Sequence, residues 1–178
     1  DFNSSGSIDG ADFVIWKSSY LAGGTQISSP TPTSPPTQAG SGWTQLAGNA
    51  QRTGYTSEQP SNTWTFTWHW KPADMYSMPA TTHAISGNGY IYLAGGAQGI
   101  YAINIQTGAT AYRFQSAVFQ SAGAIDPSTG YVYFGSTNGQ IYRFNPNLTV
   151  SATYQGSASY ELALLLNGNY IYAVNKNG

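Results

Sequence analysis

The chain has no cysteine, few charged residues and no long hydrophobic run, and each of these absences excludes a class of protein. Without cysteine it can form neither a disulfide framework nor a thiolate metal site. Charged residues make up 7% of the chain and the formal net charge is -1, so the basic footprint of a nucleic-acid-binding protein is missing. No stretch reaches the roughly 18 continuous apolar residues of a membrane span. The sequence therefore predicts no nucleic-acid partner and no membrane span.

The chain is rich in aromatic residues instead. They make up 15% of its 178 residues, and 14 of them are tyrosine. Aromatic residues favour strands, so the composition predicts a mainly β protein. The length suits one domain of about 150 residues, or one such domain with an appendage.

The first twelve residues have the spacing of a calcium-binding loop. Oxygen-bearing side chains stand at loop positions 1, 3, 5, 9 and 12, and glycine at position 6 permits a sharp turn. Calcium takes about six to eight oxygen ligands, and side chains, one backbone carbonyl and one held water supply them here. The alternative interpretation is a polar turn before a helix. The predicted metal ligands are Asp1, Asn3, Ser5, Ser7 (through its carbonyl), Asp9 (through water) and Asp12.

With the apolar helix predicted over residues 13–21, this loop resembles the calcium loop of a type I dockerin repeat. Dockerin repeats place aspartate at loop position 12 and a basic residue in the following helix, as Asp12 and Lys17 do here. Ser5 departs from the family's usual aspartate, which removes a negative charge and predicts weaker calcium binding. The resemblance implies that a cohesin-like protein or a second dockerin repeat is the partner, contacted through Gly10, Ala11 and Lys17.

Residues 23–42 have the composition of a spacer. Pro30, Pro32, Pro35 and Pro36 alternate with Thr and Ser, which favours extended polyproline II over a helix or a packed core. The segment resembles the Thr/Pro linkers of bacterial extracellular modular proteins, a type of segment on which O-linked sugars occur. The sequence thus predicts a calcium loop and helix over 1–22, a linker over 23–42 and a second module over 43–178.

The second module repeats with a period of about 40 residues. Residues 89–104 and 130–145 share the pattern Gly-Tyr-(Ile/Val)-Tyr followed by Ile-Tyr-x-(Ile/Phe)-Asn, and a third copy begins at Asn169. This period, with several short strands per unit, predicts β-propeller blades. The predicted fold class is mainly β: a partial propeller of four-stranded blades, about three of them present, with an N-terminal EF-hand-like loop and helix.

Strands are predicted in both complete units. In the first unit they cover residues 81–86, 90–94, 99–104 and 111–115, and in the second 121–125, 131–135, 140–145 and 151–155. Residues 64–70 alternate strictly, which predicts a further strand with Trp64, Phe66, Trp68 and Trp70 on one face. That face has two interpretations. The favoured one is packing between blades, and the other is a sugar-stacking platform formed by Trp64, Trp68 and Trp70.

The repeat and the opening segment, Trp43 to Tyr55, resemble the propeller repeat of the quinoprotein dehydrogenase superfamily, the PQQ-type repeat. Enzymes of that family use a cysteine pair, a stacking tryptophan, a bound calcium and an aspartate base around pyrroloquinoline quinone. This chain has no cysteine, and no catalytic residue can be carried over. Family members without these groups act as binding or scaffold propellers, so the resemblance implies recognition and not catalysis.

Taken together, these patterns predict a secreted bacterial protein, extracellular or at the cell surface, that binds or scaffolds and is not an enzyme. Calcium is the expected cofactor, and a polysaccharide is a second expected type of partner. Because both ends of the sequence cut through motifs, the chain is expected to be a fragment, with self-assembly of several arcs into a ring as the alternative. Two other functions stay open: a stretch of a larger secreted carbohydrate-active or quinone-dependent enzyme, and a structural surface or filament subunit.

Overall fold

A computed structural model describes residues 42–55, 66–72, 74 and 78–177, which belong to one compact unit. Across these ranges it has ten β-strands, all paired antiparallel, and no helix. Nor is there, within these ranges, a helix long and apolar enough to cross a membrane. The predicted calcium loop and the helix over 13–21 lie outside the described residues.

The strands form two four-stranded sheets and one two-stranded sheet. Sheet 1 has the order β1-β2-β3-β4, with β1 Ile85–Gly87, β2 Tyr90–Ala94, β3 Ile100–Asn104 and β4 Thr110–Phe114. Sheet 2 has the order β5-β6-β7-β8, with β5 Ala124–Ile125, β6 Val132–Gly135, β7 Gln140–Phe144 and β8 Val150–Gln155. Sheet 3 pairs β9 Leu165–Asn167 with β10 Tyr170–Tyr172.

Local sequence explains the β1–β2 hairpin, and the register shifts between strands follow the repeat. Asn88 and Gly89 join β1 to β2 with φ values of 56° and 80°, as a two-residue type I′ turn requires. The pairing of the third and fourth strands shifts register after Ala102 in sheet 1 and after Arg143 in sheet 2. These two positions are 41 residues apart in the sequence, so even the β-bulge repeats with the period of the chain.

The sheets stack face to face. The face of sheet 1 that packs on sheet 2 is equivalent to the face of sheet 2 that packs on sheet 3. Tyr92, Ile100 and Ala102 of sheet 1 lie in one buried cluster with Val132, Phe134 and Phe144 of sheet 2. The opposite face of sheet 2 packs on sheet 3 through Tyr133, Leu164 and Leu166. Tyr92 and Tyr133 occupy equivalent positions of the repeat. Tyr92 points toward sheet 2, and Tyr133 points toward sheet 3. Sheet 2 is therefore covered on both faces, which explains why all four residues of β6 are buried.

The first strands of the sheets meet at one edge of the stack. β1 contacts β5, and β5 contacts β9. An extended segment, residues 42–46, runs across all three first strands. Ser86 N donates to Trp43 O at 2.8 Å, Ile125 N donates to Thr44 O at 2.7 Å, and Gln45 forms a β-bridge with Ala124. This segment supplies hydrogen-bond partners that the first strands do not find in their own sheets.

The predicted strands agree with the observed ones to within one residue at each end, except at the first strand of each unit. β1 begins at Ile85 instead of 81, because Thr82 lies in a turn and donates its N–H to Pro79 O. β5 begins at Ala124 instead of 121, because only Ala124 and Ile125 pair with β6, and the Ser121 hydroxyl bonds the Leu162 carbonyl. The strand predicted over 64–70 is wrong for its described part, since residues 66–70 are assigned to no strand.

Candidate functional site

A pocket opens between sheet 1 and the β7–β8 turn of sheet 2. Its wall on sheet 1 is formed by Tyr90 of β2 and Tyr112 of β4, which both pair across β3 and share the face that looks toward sheet 2. Their rings meet edge to face with centroids 5.5 Å apart. Tyr90 also contacts Tyr92 edge to face at 6.1 Å. These contacts hold the Tyr90 ring between a buried and an exposed neighbour.

The opposite wall is the turn formed by residues 145–149. Leu148 has a φ of 60° and is buried in the cluster between the sheets, which fixes the turn to the core. The Tyr92 hydroxyl donates to Pro146 O at 2.9 Å, which ties the turn to sheet 1. Within the turn, Asn145 Nδ2 donates to Thr149 Oγ1 at 2.8 Å, and Asn147 Oδ1 accepts from the N and Oγ1 of Thr149. The wall is thus a rigid loop that presents amides and a hydroxyl.

The pocket has a volume of about 290 Å³ and is lined by Tyr90, Tyr112, Asn145, Pro146, Asn147 and Thr149. The hydrogen bond with the Tyr112 hydroxyl raises the pKa of Tyr90, and partial burial adds to this, so the phenol is neutral at ordinary pH. The lining offers aromatic surface with neutral donors and acceptors. Aromatic surface with a few placed polar groups is the composition of a ligand-binding pocket.

The predicted sugar-stacking residues lie elsewhere. Trp68 and Trp70 pack on the face of sheet 1 that looks away from sheet 2, against Tyr101 and Ile103. Trp68 Nε1 donates to Ile105 O at 3.1 Å and Trp70 Nε1 donates to Thr110 Oγ1 at 2.8 Å. These contacts support the packing interpretation of the segment, and sugar stacking remains a prediction. Phe66 is 81% exposed, so the shared face predicted for it with Trp68 and Trp70 is wrong, and Trp64 lies outside the described residues.

An ion pair holds the neighbouring Asp74 on the same face. Arg113 Nη1 lies 2.6 Å from Asp74 Oδ2, and the Tyr101 hydroxyl donates to Asp74 Oδ1 at 3.1 Å. The Arg113 guanidinium sits 4.6 Å from the centroid of the Tyr101 ring, which also meets Trp70 edge to face at 5.0 Å. The hydrogen bond from Arg113 lowers the pKa of Asp74 below its ordinary value of 3.8. Asp74 thus has a structural role, since it connects its own segment to Arg113 and Tyr101 of sheet 1.

Acidification is expected to loosen this contact. Because the folded pKa of Asp74 lies below 3.8, its ionised form stabilises the contact above that pH and loses this effect as the pH falls through the folded pKa. The indole N–H of Trp70 reports the change by nuclear magnetic resonance, and its signal should titrate with a midpoint below 3.8. In Asp74→Asn the signal should be displaced at neutral pH and show no such titration.

Asp126→Asn is the matched control for this titration. Burial raises the pKa of Asp126, but hydrogen bonds from Ser128 and Thr129 outweigh this and lower it overall, as for Asp74. Asp126 lies in the β5–β6 turn, where its carboxylate bonds Ser128 and Thr129 and not the Trp70 side of sheet 1. The Trp70 titration should survive in Asp126→Asn. If the Trp70 indole signal still titrated in Asp74→Asn as in the unaltered chain, Asp74 would not be the group that the signal reports.

The other predicted site residues lie outside the described residues. These are the calcium ligands Asp1, Asn3, Ser5, Ser7, Asp9 and Asp12, and the partner contacts Gly10, Ala11 and Lys17. In the part of the chain that the structure describes, no three His, Cys, Asp or Glu side chains group as a metal site, which leaves the calcium prediction untested.

The pocket residues were not singled out from the sequence. Tyr90 and Tyr112 fall inside correctly predicted strands, but nothing local indicates that strands two apart present them side by side. Asn145 repeats Asn104 of the first unit, which is a signal of turn structure more than of binding. The turn residues Asn147 and Thr149 become a wall only because sheet 2 packs on sheet 1.

Of the comparisons with known proteins, the one with solved structures finds similar chains. No family model matches it, and no curated protein matches it. Among solved structures, the crystal structure of the computationally designed Ika8 protein is similar at 17% identity and a TM-score of 0.42. The match covers 53% of this chain and 30% of the designed chain. At this TM-score the similarity supports no conclusion about architecture or function.

Proposed function

We propose that residues 43–178 are β-propeller blades of the quinoprotein-like, PQQ-repeat type that serve as a non-catalytic binding or scaffold module. The observation that carries this proposal is the repeated stacking of sheets 1, 2 and 3. Equivalent faces meet in the same order, and the first strands β1, β5 and β9 contact one another in succession. Four-stranded antiparallel sheets arranged about an axis beside their first strands are the units of a propeller.

Two further observations support this arrangement. Sheet 1 covers one face of sheet 2. Trp68 and Trp70 cover the equivalent face of sheet 1, so in both sheets this face packs on a part of the chain that precedes the sheet. The segment 42–46 runs along the first strands, the position that faces the axis in a propeller. A crystal structure tests the proposal: successive sheets should be related by one constant rotation about one axis. Unequal rotations, or translation without rotation, would exclude a propeller.

The absence of cysteine from the chain supports a binding role, because the cysteine pair of the resembling dehydrogenases has no counterpart here. The lining of the pocket supports it too, since ligand-binding pockets combine aromatic surface with a few placed polar groups. An extracellular or cell-surface location in a bacterium is part of the same proposal and rests on the Thr/Pro linker and the modular order of the sequence.

The N-terminal part of the proposal is a dockerin-like calcium module. Calorimetry on the full chain should detect calcium binding, and circular dichroism should detect helix formation at the same calcium concentrations, because the metal orders the loop and the helix over 13–21 together. The double variant Asp1→Asn, Asp12→Asn should lose both signals, since neutral amides replace two carboxylate ligands.

A matched control replaces Asp74 and Asp126 with asparagine in one chain, which removes the same charge from the described sheets. This variant should bind calcium as the unaltered chain does. Calcium binding that persists in the loop variant, or that disappears in the control, would exclude the loop as the site. No heat and no added helix in the unaltered chain at millimolar calcium would also exclude it.

A further inference from the structure

The pocket between sheets 1 and 2 has the composition of a sugar site. We propose that it binds one monosaccharide unit of a neutral polysaccharide, with Tyr112 as the aromatic contact and Asn147 as the main hydrogen-bonding group. The inference rests on the proposed binding role of the sheets, but it needs neither the calcium loop nor a closed ring of blades. Its test therefore fails or succeeds separately from the tests above.

The aromatic part of the site is Tyr112 with Tyr90 behind it. Tyr112 leaves 38% of its surface exposed, although its ring contacts Tyr90 edge to face. It is thus held in one orientation and keeps surface available to a ligand. The C–H groups on one side of a pyranose ring form an apolar surface, and aromatic side chains with a polar tip bury such surface while their hydroxyl stays solvated.

The polar part of the site is the turn 145–149. Asn147 is exposed. Its Oδ1 accepts two hydrogen bonds from Thr149, whereas its Nδ2 has no hydrogen-bond partner in the described part of the chain. The two bonds to Thr149 fix the amide plane, so Nδ2 is a donor of fixed direction beside Tyr112. A donor already oriented loses little conformational entropy when a ligand hydroxyl accepts its proton.

The charge of the site favours a neutral ligand. None of the six lining residues is a carboxylic acid, amine, guanidinium or imidazole, and the raised pKa of Tyr90 keeps that phenol neutral. An anionic sugar would lose hydration without gaining a counter-charge. The hydroxyls of a neutral sugar exchange hydrogen bonds to water for hydrogen bonds of similar strength to amide and phenol groups. The volume of about 290 Å³ is at the lower end of ligand pockets and suits one ring more than an extended chain.

Affinity electrophoresis of the full chain through gels containing single polysaccharides tests the inference. Hydroxyethyl cellulose, xylan and galactomannan are the neutral probes, and polygalacturonate is the anionic comparison. At least one neutral probe should retard the chain, and polygalacturonate should not. Calorimetry with an oligosaccharide of the retarding polymer then measures the dissociation constant.

Two variants locate the binding. Tyr112→Ala should weaken it about tenfold or more, because the aromatic contact is lost. Asn147→Asp keeps the oxygen that accepts from Thr149, so the turn should stay folded, but it replaces the donor with an acceptor and should also weaken binding. Tyr154→Ala is the matched control. Tyr154 is a 48% exposed tyrosine on the fourth strand of sheet 2 outside the pocket, and its loss should leave the dissociation constant unchanged.

Three results would overturn the inference. One is the failure of every neutral probe to retard the unaltered chain. Another is unchanged affinity in both Tyr112→Ala and Asn147→Asp, in which case Trp70→Ala would show whether the sugar stacks on the opposite face of sheet 1 instead. The third is equal weakening by Tyr112→Ala and Tyr154→Ala, which would indicate nonspecific contact with exposed tyrosines.

Discussion

Replacing Phe119 with alanine is expected to lower the free energy of unfolding by about 3 to 5 kcal/mol, the range for removing a buried phenylalanine ring. Phe119 lies in the connection between sheets 1 and 2 and is 0% exposed. It contacts rings from both sheets, with centroid distances of 6.0, 6.1, 5.5 and 6.3 Å to Phe114, Phe134, Tyr142 and Phe144. Because these rings come from two sheets, they cannot all move into the cavity.

Guanidinium unfolding followed by near-ultraviolet circular dichroism measures this loss, since the 5 tryptophans and 14 tyrosines of the chain give a signal that depends on their packing. Phe119→Leu keeps part of the volume and should lose less, which separates a cavity from a general intolerance of substitution. Phe66→Ala removes the same ring from a position that is 81% exposed and should change the free energy of unfolding by no more than about 0.5 kcal/mol. A loss in Phe119→Ala no larger than in Phe66→Ala would contradict the packing described here.

Replacing Gln45 with alanine is expected to cost about 2 to 4 kcal/mol, because two buried backbone groups lose their partners. Gln45 is 6% exposed and bonds both polar backbone atoms of Leu166. Its Nε2 donates to Leu166 O at 3.1 Å, and its Oε1 accepts from Leu166 N at 3.0 Å. The side chain thus replaces a strand partner for β9, and its loss leaves that edge unpaired in a buried position.

Hydrogen exchange at the Leu166 amide gives a local measurement, since Gln45→Ala should speed that exchange more than exchange in β2 or β3. Gln51→Ala is the matched control, because Gln51 lies on the same N-terminal segment and is exposed. Gln45→Glu adds a second test. Burial would raise the pKa of the new carboxyl, so this variant should be least stable at a pH above that pKa, where the buried carboxylate is charged. An exchange rate at the Leu166 amide that is the same in Gln45→Ala as in the unaltered chain would exclude the hydrogen bond from Leu166 N to Gln45 Oε1.

Much of the strand structure was predictable, and for local reasons. β2 matches the predicted range, and β3, β4, β6, β7 and β8 differ from theirs by one residue at one or both ends. These strands are defined by aromatic and β-branched runs between glycine turns, a signal contained in a few adjacent residues. The first strands were predicted too long. β5 has only two residues of strand, and on the side away from β6 it bonds the 42–46 segment, a partner that its own sequence does not indicate.

The sequence by itself determined the repeat and the positions of most strands, because a period of about 40 residues and runs of aromatic and β-branched residues between glycine turns are properties of neighbouring residues. Only the tertiary structure decided that Gln45 completes β9 from 121 positions away, that Trp68 and Trp70 cover the outer face of sheet 1, and that Tyr112 faces Asn147 across a pocket. The reason is physical. Such contacts depend on how whole sheets stack, and the free energy that selects one stacking is shared among many distant side chains, so no local pattern reveals it.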